Sequence, residues 1–262
     1  MIGNGLARVT IITPVFNGQK FIKSFFDGLL LQKCSFRVIV INDASSDDTK
    51  DLLLEYQMKL PFAVDIITEA TNMGPGAARF KAIGLVGTEF IAFCDIDDVW
   101  PENKLLLQLD EMENSDANWS YHGRHIFLNG ESTGEFIDVS PIATMFDVLT
   151  TRYIGLSSVV IRTSTASQLP SLEGEYLGED YIWWANLMAI TGPPLAIQGL
   201  FYDYHIHGGS SSKNKLKMAG AVFDIYVIRN VIPVARSFGF LAFMGYALKS
   251  IVRMIVKKNA SS

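Results

Sequence analysis

Phe90-Ile91-Ala92-Phe93-Cys94-Asp95-Ile96-Asp97-Asp98-Val99-Trp100 is the stretch on which the reading of this chain turns. Four apolar residues are strand-length and suit a buried parallel strand. The strand then runs into three carboxylates. Charges of one sign at the end of an apolar strand repel one another unless a cation or hydrogen-bond donors neutralise them. Hard divalent ions take oxygen ligands, and diphosphates bring such ions with them. The same turn would also serve as a solvated acidic start for a helix following Pro101.

Outward from this strand the pattern repeats. Residues 9–12 and 38–41 are β-branched or apolar runs, and 64–67 is a third strand interrupted by Asp65, each ended by polar or turn-forming residues. Between them, Ile22, Phe25, Phe26, Leu29 and Leu30 follow helical spacing. Ser45, Ser46 and Asp47 offer N-caps for a helix running through Leu54, and Gly74-Pro75-Gly76 leads into a helix over 77–83. Strand and helix alternating at this spacing imply right-handed βαβ units and a parallel sheet, whose ligands bind beyond the carboxyl ends of the strands. Asp43 and Asp95 to Asp98 fall at those ends. After Pro101 a helix is expected to about residue 112, with Leu105, Leu106 and Leu109 on one face. Residues 119–145 read as short strands and turns, 159–161 as a strand and 181–190 as a helix. The tail from residue 216 reads as helical, interrupted at Pro233 and Gly239.

With 262 residues, 49% of them hydrophobic and 19% charged, the chain suits one large α/β domain with a substantial tail. Cys34 and Cys94 stand in apolar surroundings and read as core residues. Without a disulfide framework or zinc spacing, they fit a reducing compartment. The opening residues do not read as a signal peptide, and the apolar stretch 238–248 is too short to span a membrane. The net charge of -5 is uneven: nine basic residues and one acid, Asp224, from Lys213 onward leave +8 there and -13 for the rest. An acidic body is a poor partner for nucleic acid. In the tail, Phe240, Phe243, Met244, Ala247, Leu248, Ile251 and Ile255 form an apolar face, with Lys249, Arg253 and Lys257 on another. A basic amphipathic helix of this kind suits an anionic membrane surface, or packing on the domain or on a second subunit.

Four more groups carry chemistry. Asp43, ahead of the capping residues, could accept a hydrogen bond from a nucleobase imino group. In Asn72-Met73-Gly74-Pro75-Gly76-Ala77-Ala78-Arg79 the glycines permit close backbone approach, the helix start favours phosphate, and Arg79 adds a fixed positive charge. Glu179-Asp180, at an expected helix start, offers either a general base or two dipole-compensating acids. His205 and His207 would share one face of a strand, as a metal-ligand candidate or as solvated loop residues.

Taken in order, Thr13-Pro14-Val15-Phe16-Asn17, residues 42–49, residues 72–79, residues 95–100 and Glu179-Asp180 resemble the family-2 glycosyltransferases of GT-A fold. The resemblance is strong over 8–110 and weaker over 150–215. It implies a Rossmann-like, mostly parallel sheet flanked by helices, with a catalytic domain over 1–212 and a basic helical tail over 213–262. Residues 8–110 would form the nucleotide-binding half and 111–212 the acceptor half. Thr13, Pro14, Val15, Asn17, Asp43, Asn72, Gly74, Arg79 and Asp95 would bind the nucleotide, with uracil as the base. Asp95 and Asp97 look like the family's DxD pair, with Asp97 the direct ligand to Mn2+ or Mg2+ and His207 a further contact. Asp98 and Trp100 would shape the sugar and acceptor site. Asp180, with Glu179 beside it, looks like the catalytic base of an inverting transfer. Similar enzymes act on lipid-linked or surface-polysaccharide acceptors, which implies a cytoplasmic protein peripheral to the inner face of the cell membrane, with homo-oligomers allowed.

Two other functions fit parts of the sequence. Gly74-x-Gly76 before a helix, with acids about 20 residues on, suggests a nicotinamide-dependent Rossmann enzyme. Against this, a proline interrupts the loop, the third glycine is absent, and Asp43 and Asp180 have no role. A non-catalytic nucleotide-sugar binding protein would keep the binding residues and lack turnover.

Overall fold

The computed structural model describes residues 6–139, 144, 154–170 and 179–207. Its centre is a run of four parallel strands: β1 (Val9–Val15), β2 (Phe36–Asn42), β3 (Ala63–Thr68) and β4 (Phe90–Phe93). Three more strands extend the sheet beyond β4: β5 (Trp119–Leu128), β6 (Glu131–Ile137) and β7 (Val160–Arg162). The order is β3-β2-β1-β4-β7-β5-β6, and β8 (Leu195–Ile206) pairs in parallel with β5. β7 runs antiparallel to both β4 and β5, so the sheet is mixed on that side.

Side-chain alternation sorts the strands into two cores. Ile12, Ile39, Ile41, Ile91 and Phe93 point to one face, where they meet α3 (Pro75–Ile83) and α6 (Glu179–Thr191) through Ala78, Ala82 and Trp183. Val9, Ile11, Val38, Val40, Phe90 and Ala92 point to the other. They meet α1 (Ile22–Leu30) and α4 (Lys104–Asn114) through Phe25, Phe26, Leu29, Leu105 and Leu109. The helix α2 (Thr49–Gln57) adds Leu53 to this second core, and a one-turn α5 (Thr163–Ala166) follows β7. Each fully buried side chain of this kind contributes roughly 1.5–3 kcal/mol, set against the entropy of ordering the chain.

Three departures from the sequence reading have physical causes. α4 begins at Lys104 rather than Pro101, because Asn103 sits at φ +60° and its side chain does not cap the helix. Gln32 caps it instead: its Oε1 accepts from the Leu105 amide at 3.1 Å and its Nε2 donates to the Pro101 carbonyl at 2.9 Å. Residues 119–137 form one long hairpin, not several short strands. Asn129 and Gly130 turn it, both at positive φ, as a two-residue hairpin requires. β8, twelve residues long, begins well before the strand expected around His205 and His207, and ends at Ile206. Its register with β5 slips between His122 and Gly123, and Gly199 lies at φ +72° within the slipped stretch.

β8 then bridges to the acidic stretch. The Val99 amide donates to the Asp203 carbonyl at 3.2 Å, and the Asp203 amide donates to the Val99 carbonyl at 2.9 Å. The basic tail of 213–262 lies outside the described residues. No helix among the described residues is long and apolar enough to cross a membrane.

Candidate active site

β4 ends at Phe93, and Asp95 to Asp98 form a tight turn closed by the Asp98 amide donating to the Asp95 carbonyl at 3.1 Å. Each carboxylate of the turn has its own partner. Asp95 pairs with Arg79 of α3 at 2.5 Å. Asp97 meets His207 Nε2 at 2.8 Å. Asp98 accepts from the Ser157 hydroxyl at 2.6 Å and from the His205 amide at 3.4 Å. This separation is how three acids are tolerated within four residues.

The three differ in exposure. The Asp95 and Asp97 side chains are 31% and 23% exposed, whereas Asp98 is 2% exposed. Burial, and then the charge of Asp95, push the Asp97 carboxyl above the ordinary range, and His207 draws it back. Burial pushes the Asp98 carboxyl well above that range, with the charges of Asp97 and Asp95 adding to it. Trp100, 2% exposed, donates its indole N–H to the Ser157 carbonyl at 2.8 Å. Asp98 and Trp100, expected to shape the sugar and acceptor site, are both turned toward Ser157 and brace the turn from behind.

The two histidines do share a role at the end of β8. His205 Nδ1 lies 2.6 Å from the Asp97 carbonyl, and a carbonyl only accepts, so Nδ1 carries the proton. The His207 ring rests on Phe21 at 4.9 Å between centroids. Among the described residues no three His, Cys, Asp or Glu side chains converge as a ready-made metal cage. Asp95 is paired with Arg79 and Asp97 with His207, so either carboxylate would exchange its present partner for an ion, and His207 would have to release its bond to Asp97 to join as a ligand. One carboxylate and one imidazole suit an ion whose remaining ligands are substrate phosphates and water, the usual arrangement for Mg2+ and similar ions at diphosphates.

The second cluster lies at the ends of β1 and β2. Asp43, 2% exposed, accepts from the amides of Met73 and Gly74, both at 2.8 Å, one on each carboxylate oxygen. Gly74 is the N-cap of α3 at φ +84°, and Pro75 occupies the first turn. The anion at this helix start is thus Asp43 itself, where the sequence suggested phosphate. Asn72 adds a donor to the Asp43 carbonyl at 3.3 Å and accepts from the Gly74 amide at 3.1 Å. Arg79, expected to approach the nucleotide, is 5% exposed and directed at Asp95.

Thr13, Pro14 and Val15 are buried within β1, and only Phe16 and Asn17 emerge, Phe16 with 53% exposure. Asn17, at φ +51°, is tied to the neighbouring loop: its amide donates to the Ser45 hydroxyl at 2.9 Å, and its Oδ1 accepts from the Ser46 amide at 2.8 Å. The nucleotide-binding candidates are thereby gathered at one end of the sheet, held mainly by one another.

Asp180 stands in the first turn of α6, where its Oδ1 accepts from the Tyr181 amide at 3.1 Å. Trp183 and Trp184, one turn on, pack against Phe93 with centroids 5.8 and 6.4 Å apart. That packing brings the first turn of α6 beside the carboxyl end of β4. Glu179 begins the helix, and its side chain lies outside the described part. Ser157 is the residue that sequence reasoning missed. It is fully buried in a 3-10 turn (Leu156–Ser158), and no local signal marks it.

Comparison with known proteins shows the family and the fold. The model of glycosyl transferase family 2 matches residues 10–147, just over half of the chain. A putative teichuronic acid biosynthesis glycosyltransferase of Bacillus subtilis, TuaG, is 28% identical over 222 residues, covering 83% of this chain and 86% of its own. The Escherichia coli enzyme WfgD is named as a UDP-Glc:alpha-D-GlcNAc-diphosphoundecaprenol beta-1,3-glucosyltransferase. It is 26% identical over 247 residues, covering 92% and 94%. Among solved structures, Staphylococcus aureus TarS 1-349 in complex with UDP superposes with a TM-score of 0.66 at 17% identity, over 87% of this chain and 65% of that one. The Pyrobaculum calidifontis mannosyltransferase PcManGT, in complex with GDP-Man and Mn2+, gives 0.66 at 12% identity, over 98% and 81%. The nicotinamide alternative falls with these matches, and its glycine turn is the one closed by Asp43. The chain belongs to glycosyl transferase family 2 and is a glycosyltransferase of GT-A fold.

Proposed function

We propose that this enzyme transfers a sugar, with inversion, from a UDP-sugar to a hydroxyl of a saccharide or lipid-linked saccharide during synthesis of a surface polysaccharide, using Mn2+ or Mg2+. The observation that carries the reading is the pair Asp97 and His207, 2.8 Å apart just beyond the carboxyl end of β4. The donor class follows the relatives, one of them named for UDP-Glc and another solved with UDP. The acceptor class follows the undecaprenol-linked substrate in the WfgD name.

In this reading Asp97, with His207 beside it, would hold the ion that the donor's diphosphate brings. The bound ion supplies charge neutralisation as the diphosphate departs. Asp43 and the loop it fixes form the wall of the nucleobase slot at the ends of β1 and β2. Arg79 keeps Asp95 oriented. Asp180 takes the proton from the acceptor hydroxyl as its oxygen bonds to the anomeric carbon. The bond from that carbon to the diphosphate breaks on the opposite face, and its electron pair leaves with the nucleotide. One displacement inverts the centre. The basic tail of 213–262 holds the enzyme against an anionic membrane, where a lipid-linked acceptor resides.

The test is a panel of nucleotide sugars with Mn2+ and a polyprenol-diphosphate saccharide, scored for nucleoside diphosphate release. A UDP-sugar is expected to turn over and to stop with chelator. Asp180→Asn is expected to bind UDP normally while transfer slows about 10²–10⁴-fold. Failure of every nucleotide sugar to react or to stabilise the protein would overturn the reading.

A further inference from the structure

Ser157 touches the acidic stretch at three points, 57 to 62 residues away in sequence. Its hydroxyl accepts from the Asp95 amide at 3.0 Å and donates to Asp98 Oδ2 at 2.6 Å. Its carbonyl accepts the Trp100 indole N–H at 2.8 Å. A hydroxyl has one hydrogen, and here that hydrogen goes to Asp98, so a lone pair faces the Asp95 amide and the rotor is fixed. One oxygen atom therefore spans both ends of the turn that carries Asp97.

The surroundings hold Ser157 still. Gly155, two residues before it, stands where a Cβ would collide with the Tyr202 hydroxyl and the Arg124 guanidinium. On the other side, the Ser158 carbonyl accepts from Gln108 Nε2 of α4 at 2.9 Å. The 3-10 turn is thus set by three elements, β5, β8 and α4, before it meets the acidic stretch.

We propose that Ser157 is a positioning residue for ion and diphosphate binding. By drawing Asp98 inward it leaves Asp97 as the carboxylate presented between Asp95 and Asp98, in the orientation that meets His207. The proposal rests on the ion-dependent reading given above. Groups behind a ligand that orient it commonly change metal affinity by about 10–100-fold when removed.

The test is UDP binding to the full chain, followed by tryptophan fluorescence across a Mn2+ titration. Ser157→Ala removes the hydroxyl and keeps the backbone bond to Trp100. It is expected to raise the Mn2+ concentration for half-maximal UDP binding by about 10-fold or more, with the deficit shrinking as Mn2+ rises. Ser157→Thr, which restores the hydroxyl, is expected to return the titration toward wild type. Should the alanine variant not fold, Ser157→Cys, a poorer hydrogen-bonding group, is judged by the same shift. An unchanged Mn2+ titration in a folded variant, even with a lower melting temperature, would reduce Ser157 to a structural role and overturn the proposal. If the wild type itself binds UDP without regard to Mn2+, the ion reading fails and this proposal fails with it.

Discussion

The Asp43 carboxylate receives the Gly74 amide at 2.8 Å, and the Met73 amide at the same distance on its other oxygen. A side chain at the end of β2 thereby satisfies the amide of the α3 N-cap and the amide just before it. Asp43→Asn keeps the shape but turns an NH2 group toward one of these donors. It is expected to lower the unfolding free energy by about 1–3 kcal/mol, read by denaturant melting, and to weaken UDP binding. A variant as stable as wild type would show that the loop does not depend on this carboxylate.

Lys104 is fully buried above the Trp100 ring, with Nζ 3.9 Å from its centroid, and no hydrogen-bond partner reaches Nζ. Burial lowers its ammonium from 10.5 to about 7. Between those two values the unfolded chain holds a proton that the folded chain lacks, so stability rises with pH across that window. The penalty is fully present below about pH 7. Lys104→Met keeps the stem and removes the charge. It is expected to raise the unfolding free energy at pH 6 by about 2–4 kcal/mol, less whatever the contact with Trp100 contributes, and to flatten the rise above pH 7. Urea melts at pH 6, 8 and 9.5 check this. A less stable methionine variant at pH 6 would mean that the charged form is the favoured one.

Removal of residues 238–262 takes away Lys249, Arg253 and Lys257 together with the apolar face beside them. The shortened protein is expected to lose co-sedimentation with vesicles containing anionic lipid, while the full chain sediments and is released by high salt. Equal sedimentation of both forms would place the membrane contact elsewhere.

The parallel half of the sheet was legible because β1, β2 and β4 are mostly buried runs of apolar and β-branched residues leading into polar ones. The end of the sheet that holds the site followed from the same pattern. What stayed hidden depends on long-range register. β8 alternates poorly, with Gln198 and Gly199 at the slip against β5, so its period was not seen. Four consecutive residues at 95–98 carry three acids, and sequence cannot say which points inward. Ser157 decides it, arriving through the pairing of β4 with β7. Likewise Asp43 stands apart from the capping acids in sequence as an acceptor, and only the fold shows it reaching across to the start of α3.

The central claim is that Asp97 binds an ion on which the donor's diphosphate depends. Calorimetry of UDP binding, with Mn2+ and with chelator, tests it most directly on wild type and Asp97→Ala. Wild type is expected to bind UDP at least about 100-fold more tightly with Mn2+, and the alanine variant to bind weakly and equally in both conditions. Tight, Mn2+-dependent UDP binding by Asp97→Ala would contradict the account.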